Sequence, residues 1–173
     1  QPVTVGPGGQ FTVSVPLGVE GINVVTFIAS NAAGSTQVAR TVFRDTTVPT
    51  SAVTTPATDG ATADATPDFV VSYSDGSGSG VDVGSLTATL GGAPVTFTAG
   101  AATATFTPAS NLSDGQSVLE VRIRDLAGHV SAPALRTVFI DTRAAVVTLT
   151  PADGANLASA SPTLRATLID PSP

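Results

Sequence analysis

The chain has 173 residues, 42% of them hydrophobic and only 12% charged, with seven basic residues against 13 acidic and a formal net charge of -6. That balance gives no electrostatic reason to approach nucleic acid or an anionic membrane, and no apolar run reaches the length that spans a bilayer. Cysteine is absent, so no disulfide can staple a fold and core packing must hold it alone.

Segments rich in Val, Thr, Ala, Ile and Phe are punctuated by 17 Gly and 13 Pro, which predicts short strands joined by tight turns. Residues 1–46 hold motifs that return downstream. Pro2-Val3-Thr4-Val5 comes back as Pro94-Val95-Thr96-Phe97, and Gly21 as Gly115. The turn Asn31-Ala32-Ala33-Gly34 matches Asp125-Leu126-Ala127-Gly128. Arg40-Thr41-Val42-Phe43-Arg44-Asp45-Thr46 recurs 96 residues later as Arg136-Thr137-Val138-Phe139-Ile140-Asp141-Thr142. Further on, Pro56 to Ala61 returns one residue shorter as Pro151 to Ala155, and Pro67, Phe69, Val71, Tyr73 and Asp75 correspond to Pro162, Leu164, Ala166, Leu168 and Asp170. Self-similarity at a fixed period marks a tandem array. It divides the chain into the C-terminal half of one module (1–46), a complete module (47–142) and the first strands of a third (143–173). Half a sandwich cannot bury its own faces, so the end pieces are expected to belong to a longer chain or to be completed by neighbouring copies.

Within the complete module the first strand is expected over Ser51–Thr55, ended by Pro56 and Gly60. The second, Asp68–Ser74, alternates Phe69, Val71 and Tyr73 inward with Asp68, Val70 and Ser72 outward, the period of a sheet with one wet face. Asp75-Gly76-Ser77-Gly78-Ser79-Gly80 reads as a flexible surface loop. A third strand carries Leu86, Ala88 and Leu90 inward to the hairpin signal Gly91-Gly92. The next takes Val95 and Phe97 into the core, and another Ala102, Ala104 and Phe106. After Pro108 and Gly115 a long strand puts Leu119, Val121 and Ile123 inside, with Glu120, Arg122 and Arg124 outside. Asp125 to Gly128 is a type I turn with a bulge, and the last strand runs over Ala134–Ile140 with Arg136 on the wet face. Seven short strands in about 95 residues describe a two-sheet sandwich.

Several of these segments are similar to a known family. Phe11–Pro16, Gly21 to Thr26, Asn31-Ala32-Ala33-Gly34 and Arg44-Asp45-Thr46-Thr47-Val48-Pro49 resemble the bacterial immunoglobulin-like repeats strung together in large secreted and surface proteins. Tyr73 to Asp82 looks like the loop leading into the third strand of the same group. The resemblance implies an all-β fold: immunoglobulin-like sandwich modules of about seven strands in tandem, one complete and two partial. It further implies a building unit of adhesins, stalks, fibrous surface layers or non-catalytic parts of exported enzymes. Those repeats often carry Asn after the turn glycine, where this chain has Ser35 and His129. They also continue the Asp-Thr junction into a proline, which the first junction keeps as Pro49 and the second lacks at Arg143-Ala144-Ala145.

Catalytic chemistry is poorly supplied. No Cys or Lys is present and His129 is the sole imidazole, with only Asp125 of its own turn as an obvious neighbour, so a nucleophilic triad lacks its parts. Acids cluster in turns rather than on facing walls of a cleft. Asp45 could approach Asp75, Asp82 and Asp125 where loops gather at one pole, and a hard cation there would stiffen the junction. Asp and Gly are also what turns require, and the loop lacks the acid twelve residues in that a helix-flanked calcium loop needs, Leu86 standing there. Turn and capping duty is the preferred reading. Arg122 and Arg124 are expected to pair with neighbours such as Glu120. The sequence thus assigns no catalytic residue, no cofactor-binding residue, no metal ligand and no cofactor.

The expected function is a non-catalytic structural repeat, a stalk, spacer or filament unit of an extracellular or cell-surface protein. Its expected partners are neighbouring modules of the same chain and identical chains in a fibre, with no nucleic acid and no membrane insertion. The alternatives are an adhesive module binding a protein or glycan through its loops, with or without calcium-stiffened junctions, and an accessory domain of a secreted hydrolase.

Overall fold

The computed structural model describes residues 2–171, which form strands and turns without a helix. Alternating apolar and polar residues first yield a hairpin of β1 (Gly21–Asn31) and β2 (Gly34–Arg44), paired without a break from Gly21↔Arg44 to Asn31↔Gly34. Nine strands follow: β3 (Thr50–Thr55), β4 (Gly60–Thr62), β5 (Phe69–Ser74), β6 (Val81–Leu90), β7 (Ala93–Pro94), β8 (Phe97–Ala99), β9 (Thr103–Phe106), β10 (Gly115–Asp125) and β11 (Ala134–Ile140). A last hairpin joins β12 (Val146–Thr150) to β13 (Arg165–Ile169).

The nine middle strands make two sheets, ordered β3-β5-β9-β8 and β4-β11-β10-β6-β7. Phe69, Val71 and Tyr73 of β5 and Ala104 and Phe106 of β9 pack against Leu86 and Leu90 of β6, Leu119, Val121 and Ile123 of β10, and Val138 and Ile140 of β11. The alternation is clean on β10, where every second residue from Ser117 to Asp125 is buried. Burying side chains of this size contributes about 1.5–3 kcal/mol each, which is how a module without disulfides holds.

Four local expectations need correction. Seven strands were anticipated and nine are present, because two short ones arise where the chain changes sheets. After Pro56 the chain leaves β3 and crosses to the other sheet, where Gly60–Thr62 pairs in parallel with Val138–Ile140. The predicted strand through Val95 and Phe97 is cut in the same way, into β7 on one sheet and β8 on the other. The two-residue Gly91-Gly92 turn holds, with both glycines left-handed (φ 59° and 83°) and Leu90 opposite Ala93.

Phe97 is not in the core. It lies on the edge strand β8, 37% exposed, tilted against Phe106 with ring centroids 5.2 Å apart. Ala102 is exposed and sits before β9 rather than on it. Arg136 is not on the wet face: it shares the inward parity of Ala134 and Val138, and its guanidinium reaches the carbonyl of Val53 (2.9 Å) and the carboxylate of Asp59 (3.4 Å). It therefore braces the point where the chain crosses from β3 to β4, an edge that periodicity alone cannot see.

The two outer hairpins leave apolar faces open. Ile22, Val24 and Ile28 of β1, and Leu164 and Leu168 in and before β13, are exposed. The repeat counterparts of Leu164 and Leu168 are Phe69 and Tyr73, which the middle sandwich buries.

Candidate functional site at the first junction

Five residues, Asp45–Pro49, connect β2 to β3. Pro49 is fully buried against the sandwich, so the linker is anchored at its far end. Its near end is held by side chains on both sides. Glu20, just before β1, accepts hydrogen bonds from the amide and the hydroxyl of Thr46 (3.0 Å to the hydroxyl) and pairs with Arg44 at 3.0 Å. Asp45 faces the other way: one carboxylate oxygen accepts the Thr47 amide at 2.9 Å, the other the Ser79 amide at 2.7 Å. Linker and sandwich are thereby joined through one side chain.

The loop that Asp45 reaches is not the flexible surface element that its glycines suggest. Asp75 is 5% exposed and lies beneath the loop, its Oδ2 accepting the Gly80 amide at 2.8 Å. Gly78 passes so close above that a Cβ there would stand 2.2 Å from that oxygen. Gly80 in turn accepts the Leu126 amide at 2.9 Å, tying this loop to the β10–β11 turn. The other Asp75 oxygen, Oδ1, is buried without a hydrogen-bond partner.

The β10–β11 turn carries the remaining groups. Asp125 is 2% exposed, and its two oxygens meet the amide and the Nδ1 of His129, each at 2.8 Å. Gly128 takes the left-handed φ of 100° that closes the turn. Ser131, buried nearby, exchanges bonds with Ile123 through its hydroxyl and amide. The hairpin is consequently bulged: regular pairing ends at Val121↔Ala134, with one further bridge at Arg124↔Val130. In the matching turn of the first repeat, Asn31 accepts the Ala33 amide and the strands pair right up to Gly34. The similar four-residue motifs thus build two different turns.

One ligand atom each from Asp45, Asp125 and His129 lies within 4.8 Å of the others. The electrostatics follow from this crowding. The Ser79 hydroxyl and amide hold the Asp45 carboxyl below its ordinary value, against a smaller effect of burial and with help from the Thr47 amide and His129. The hydroxyl favours the charged form from nearby but lacks hydrogen-bond geometry. Burial pushes Asp125 up, but the His129 ring and amide and the Gly128 amide outweigh it, and its carboxyl is held low. His129 is raised, first by its bond to Asp125, against some desolvation, and then by the charges of Asp125, Asp45 and Asp75.

Of the acids expected at this pole, Asp45, Asp75 and Asp125 gather and Asp82 does not. Asp82 caps the Gly84 amide at 3.1 Å on its own strand. Arg122 pairs with Glu120 at 2.9 Å, as anticipated for the wet face. His129 is half-buried and held by Asp125, the neighbour its own turn supplies. Sequence reasoning missed Glu20 and its counterpart Asp114, which accepts the Thr142 amide (3.0 Å) and hydroxyl (2.8 Å) and pairs with Arg143 at 2.9 Å. The signal was present: an acid precedes the repeat-matched glycine in both Glu20-Gly21 and Asp114-Gly115.

Two facing sheets of four and five strands, with the first strand divided between them, define an immunoglobulin-like β-sandwich. The family model of the bacterial Ig-like domain matches residues 44–142, and the chain belongs to that family. Its domains are typically non-catalytic structural modules and are common in surface proteins. No curated protein matches the sequence. No helix among the described residues is long and apolar enough to cross a membrane.

Proposed function

We propose that this chain is a non-catalytic spacer, part of the stalk or filament of an extracellular or cell-surface protein, in which modules spanning 1–46, 47–142 and 143–173 follow one another. Its partners in this reading are the neighbouring modules of the same chain and, in a fibre, identical chains laid alongside. The observation that carries it is the double grip on the first junction: Glu20 holds Thr46 from the preceding hairpin while Asp45 holds Ser79 of the following sandwich. A spacer transmits length only if its joints resist bending, and two carboxylates acting on adjacent linker residues supply that resistance. Asp114 repeats the first half of the device on Thr142.

The test is a distance distribution across the joint. The chain has no native cysteine, so nitroxides on Ser35→Cys and Gln116→Cys, both at exposed positions, label it cleanly for pulsed electron resonance. One narrow distance is expected, broadening when Glu20 and Asp45 are both replaced by Ala. A distribution as broad in the parent chain as in that variant would overturn the spacer reading.

A further inference from the structure

We propose that the first and last hairpins of this chain bind each other between copies: the inner face of β1–β2 in one copy takes the inner face of β12–β13 of a second. The inference goes beyond the spacer reading, which concerns bending at a joint within one chain. By repeat position β1–β2 is the counterpart of β10–β11, and β12–β13 that of β3 and β5. In the middle sandwich those pairs stand on opposite sheets and bury one another, Phe69, Val71 and Tyr73 packing against Leu119, Val121 and Ile123. Val25, Phe27 and Ala29 hold the matching positions of Leu119, Val121 and Ile123 in the first repeat. They line an open groove of about 870 Å³. Phe11 forms one wall of it, its ring centroid 5.9 Å from that of Phe27.

The last hairpin specifies the occupant. Leu164, Ala166 and Leu168 are the counterparts of Phe69, Val71 and Tyr73. On β12, Val147 stands opposite Leu168 and Leu149 opposite Ala166, so these side chains share one face. The register of β3 shifts between Val53 and Thr55, whereas β12 pairs without a break, and this brings both Val147 and Leu149 to the inner side. Leu149, Leu164 and Leu168 are 67%, 76% and 71% exposed, a grouping of bare leucines that marks a contact surface. The face that covers such a strand pair is the β10–β11 type. In the middle module that face is already filled, so β1–β2 is the one left open.

Charge points to the same match. Across the middle sandwich Arg136 of β11 pairs with Asp59 at 3.4 Å. Both halves of this pair recur, but apart. Arg40, the counterpart of Arg136, donates only to the carbonyl of its neighbour Ala39 among the described residues. Asp153, the counterpart of Asp59, meets no cation there. Joining the hairpins brings Arg40 of one copy to Asp153 of the next, which fixes the orientation as well as the fit. Neither copy supplies a counterpart of β6, so the joint buries less than the middle sandwich and comes apart on dilution. The two faces differ, so the contact is heterologous and each joined pair keeps a free face at either side, from which rings or open chains grow.

The test is sedimentation velocity of the full chain over a wide range of concentration, where the mean mass is expected to rise above that of the monomer. Arg40→Glu and Asp153→Arg should each weaken association at least about tenfold. A 1:1 mixture of those two variants should restore it to near the parent level, because every joint between unlike variants again opposes a cation and an anion. Leu168→Asp, on the inner face, should abolish association, whereas Thr167→Asp, on the other face of the same strand, should leave it unchanged. A chain that stays monomeric throughout overturns the proposal, whether its hairpins close on each other or take a different partner. So does association undiminished by Leu168→Asp, or a mixture of the two charge variants that associates no better than either alone. None of these outcomes touches the spacer reading, which stands or falls on the width of the junction distance.

Discussion

Gly78 is a site where one methyl group decides the state of a whole pole. Its φ is not left-handed, so alanine fits the backbone there, and on conformational entropy alone the change would stabilise by about 0.4–1 kcal/mol. Space reverses the sign. The new Cβ would stand 2.2 Å from Asp75 Oδ2, 2.6 Å from its Cγ and 2.7 Å from Oδ1, where ordinary contact begins at 3.4 Å. Asp75 is buried and its Oδ2 holds the Gly80 amide, so it cannot simply turn into solvent. Either the loop lifts, breaking the Asp45 bond to Ser79, or the carboxylate yields its amide. Overpacking costs about 1–3 kcal/mol and a lost charge-assisted bond about 1.5–3 kcal/mol; since each partly relieves the other, about 2–4 kcal/mol is expected for Gly78→Ala.

At roughly 4–8 °C per kcal/mol for a module of this size, Tm should fall by about 8–32 °C. Tyr73 is the only tyrosine, tryptophan is absent, and Tyr73 is buried two residues from Asp75, so its fluorescence melt reports this sandwich alone. Gly60→Ala, in open space and without a left-handed φ, serves as the control and should melt within a few degrees of the parent. In an Asp75→Ala background the obstacle is gone, and Gly78→Ala should then cost less than about 1 kcal/mol. Equal costs in the two backgrounds, or a higher Tm for Gly78→Ala alone, would refute the placement of Asp75 under the loop.

Tyr73 also predicts the alkaline limit of the fold. Burial pushes its phenol up from 10.0, so the folded state loses stability as pH rises above 10 toward the folded value, and absorbance at 295 nm should show phenolate forming only at higher pH than in the unfolded chain. Tyr73→Phe removes a hydroxyl that donates to the carbonyls of Gly100 and Thr103 and should cost about 1 kcal/mol in urea unfolding; no change would mean that water replaces it freely. Asp114 is held low by the Thr142 hydroxyl and amide, with Arg143 adding to it. Its contribution is complete above 3.8 and is lost as pH falls through the depressed folded value. The Thr142 amide resonance should therefore titrate with a midpoint below 3.8, and a midpoint at or above that figure would exclude the clamp. Phe106→Ala, in the fully buried centre of the sandwich, should cost about 3–5 kcal/mol by denaturant titration.

Strands whose residues alternate were legible, and those that exist only because a chain crosses between sheets were not. Phe69, Val71 and Tyr73, or Leu119, Val121 and Ile123, announce an inward face by their period of two. Gly60–Thr62 is three residues of small side chains paired to Val138–Ile140, and nothing in Gly-Ala-Thr distinguishes it from a turn. Phe97 illustrates the converse: its apolar side chain fits the pattern, but the sheet switch after Pro94 leaves it at an edge. Arg136 is the sharpest case. Parity puts it inward, chemistry argues outward, and the resolution is a carbonyl and an acid 83 and 77 residues away that only the fold brings near.

The junction pole shows a related division between what a repeat repeats and what it varies. Glu20 and Asp114 occupy matched positions and do the same work on Thr46 and Thr142. Asp45 recurs as Asp141, and Asp75 as Asp170. The turn between the last two strands differs instead: Asn31 with Ser35 closes tightly, while Asp125 with His129 opens a bulge. Replacing a neutral acceptor by a carboxylate, and a hydroxyl by an imidazole, moves neither the core nor the linker clamp, so the fold tolerates it. It does change the charge and donor atoms that the turn presents. The linker clamp thus recurs in both repeats, whereas the final turn is where one module of this array can acquire chemistry that its neighbour lacks.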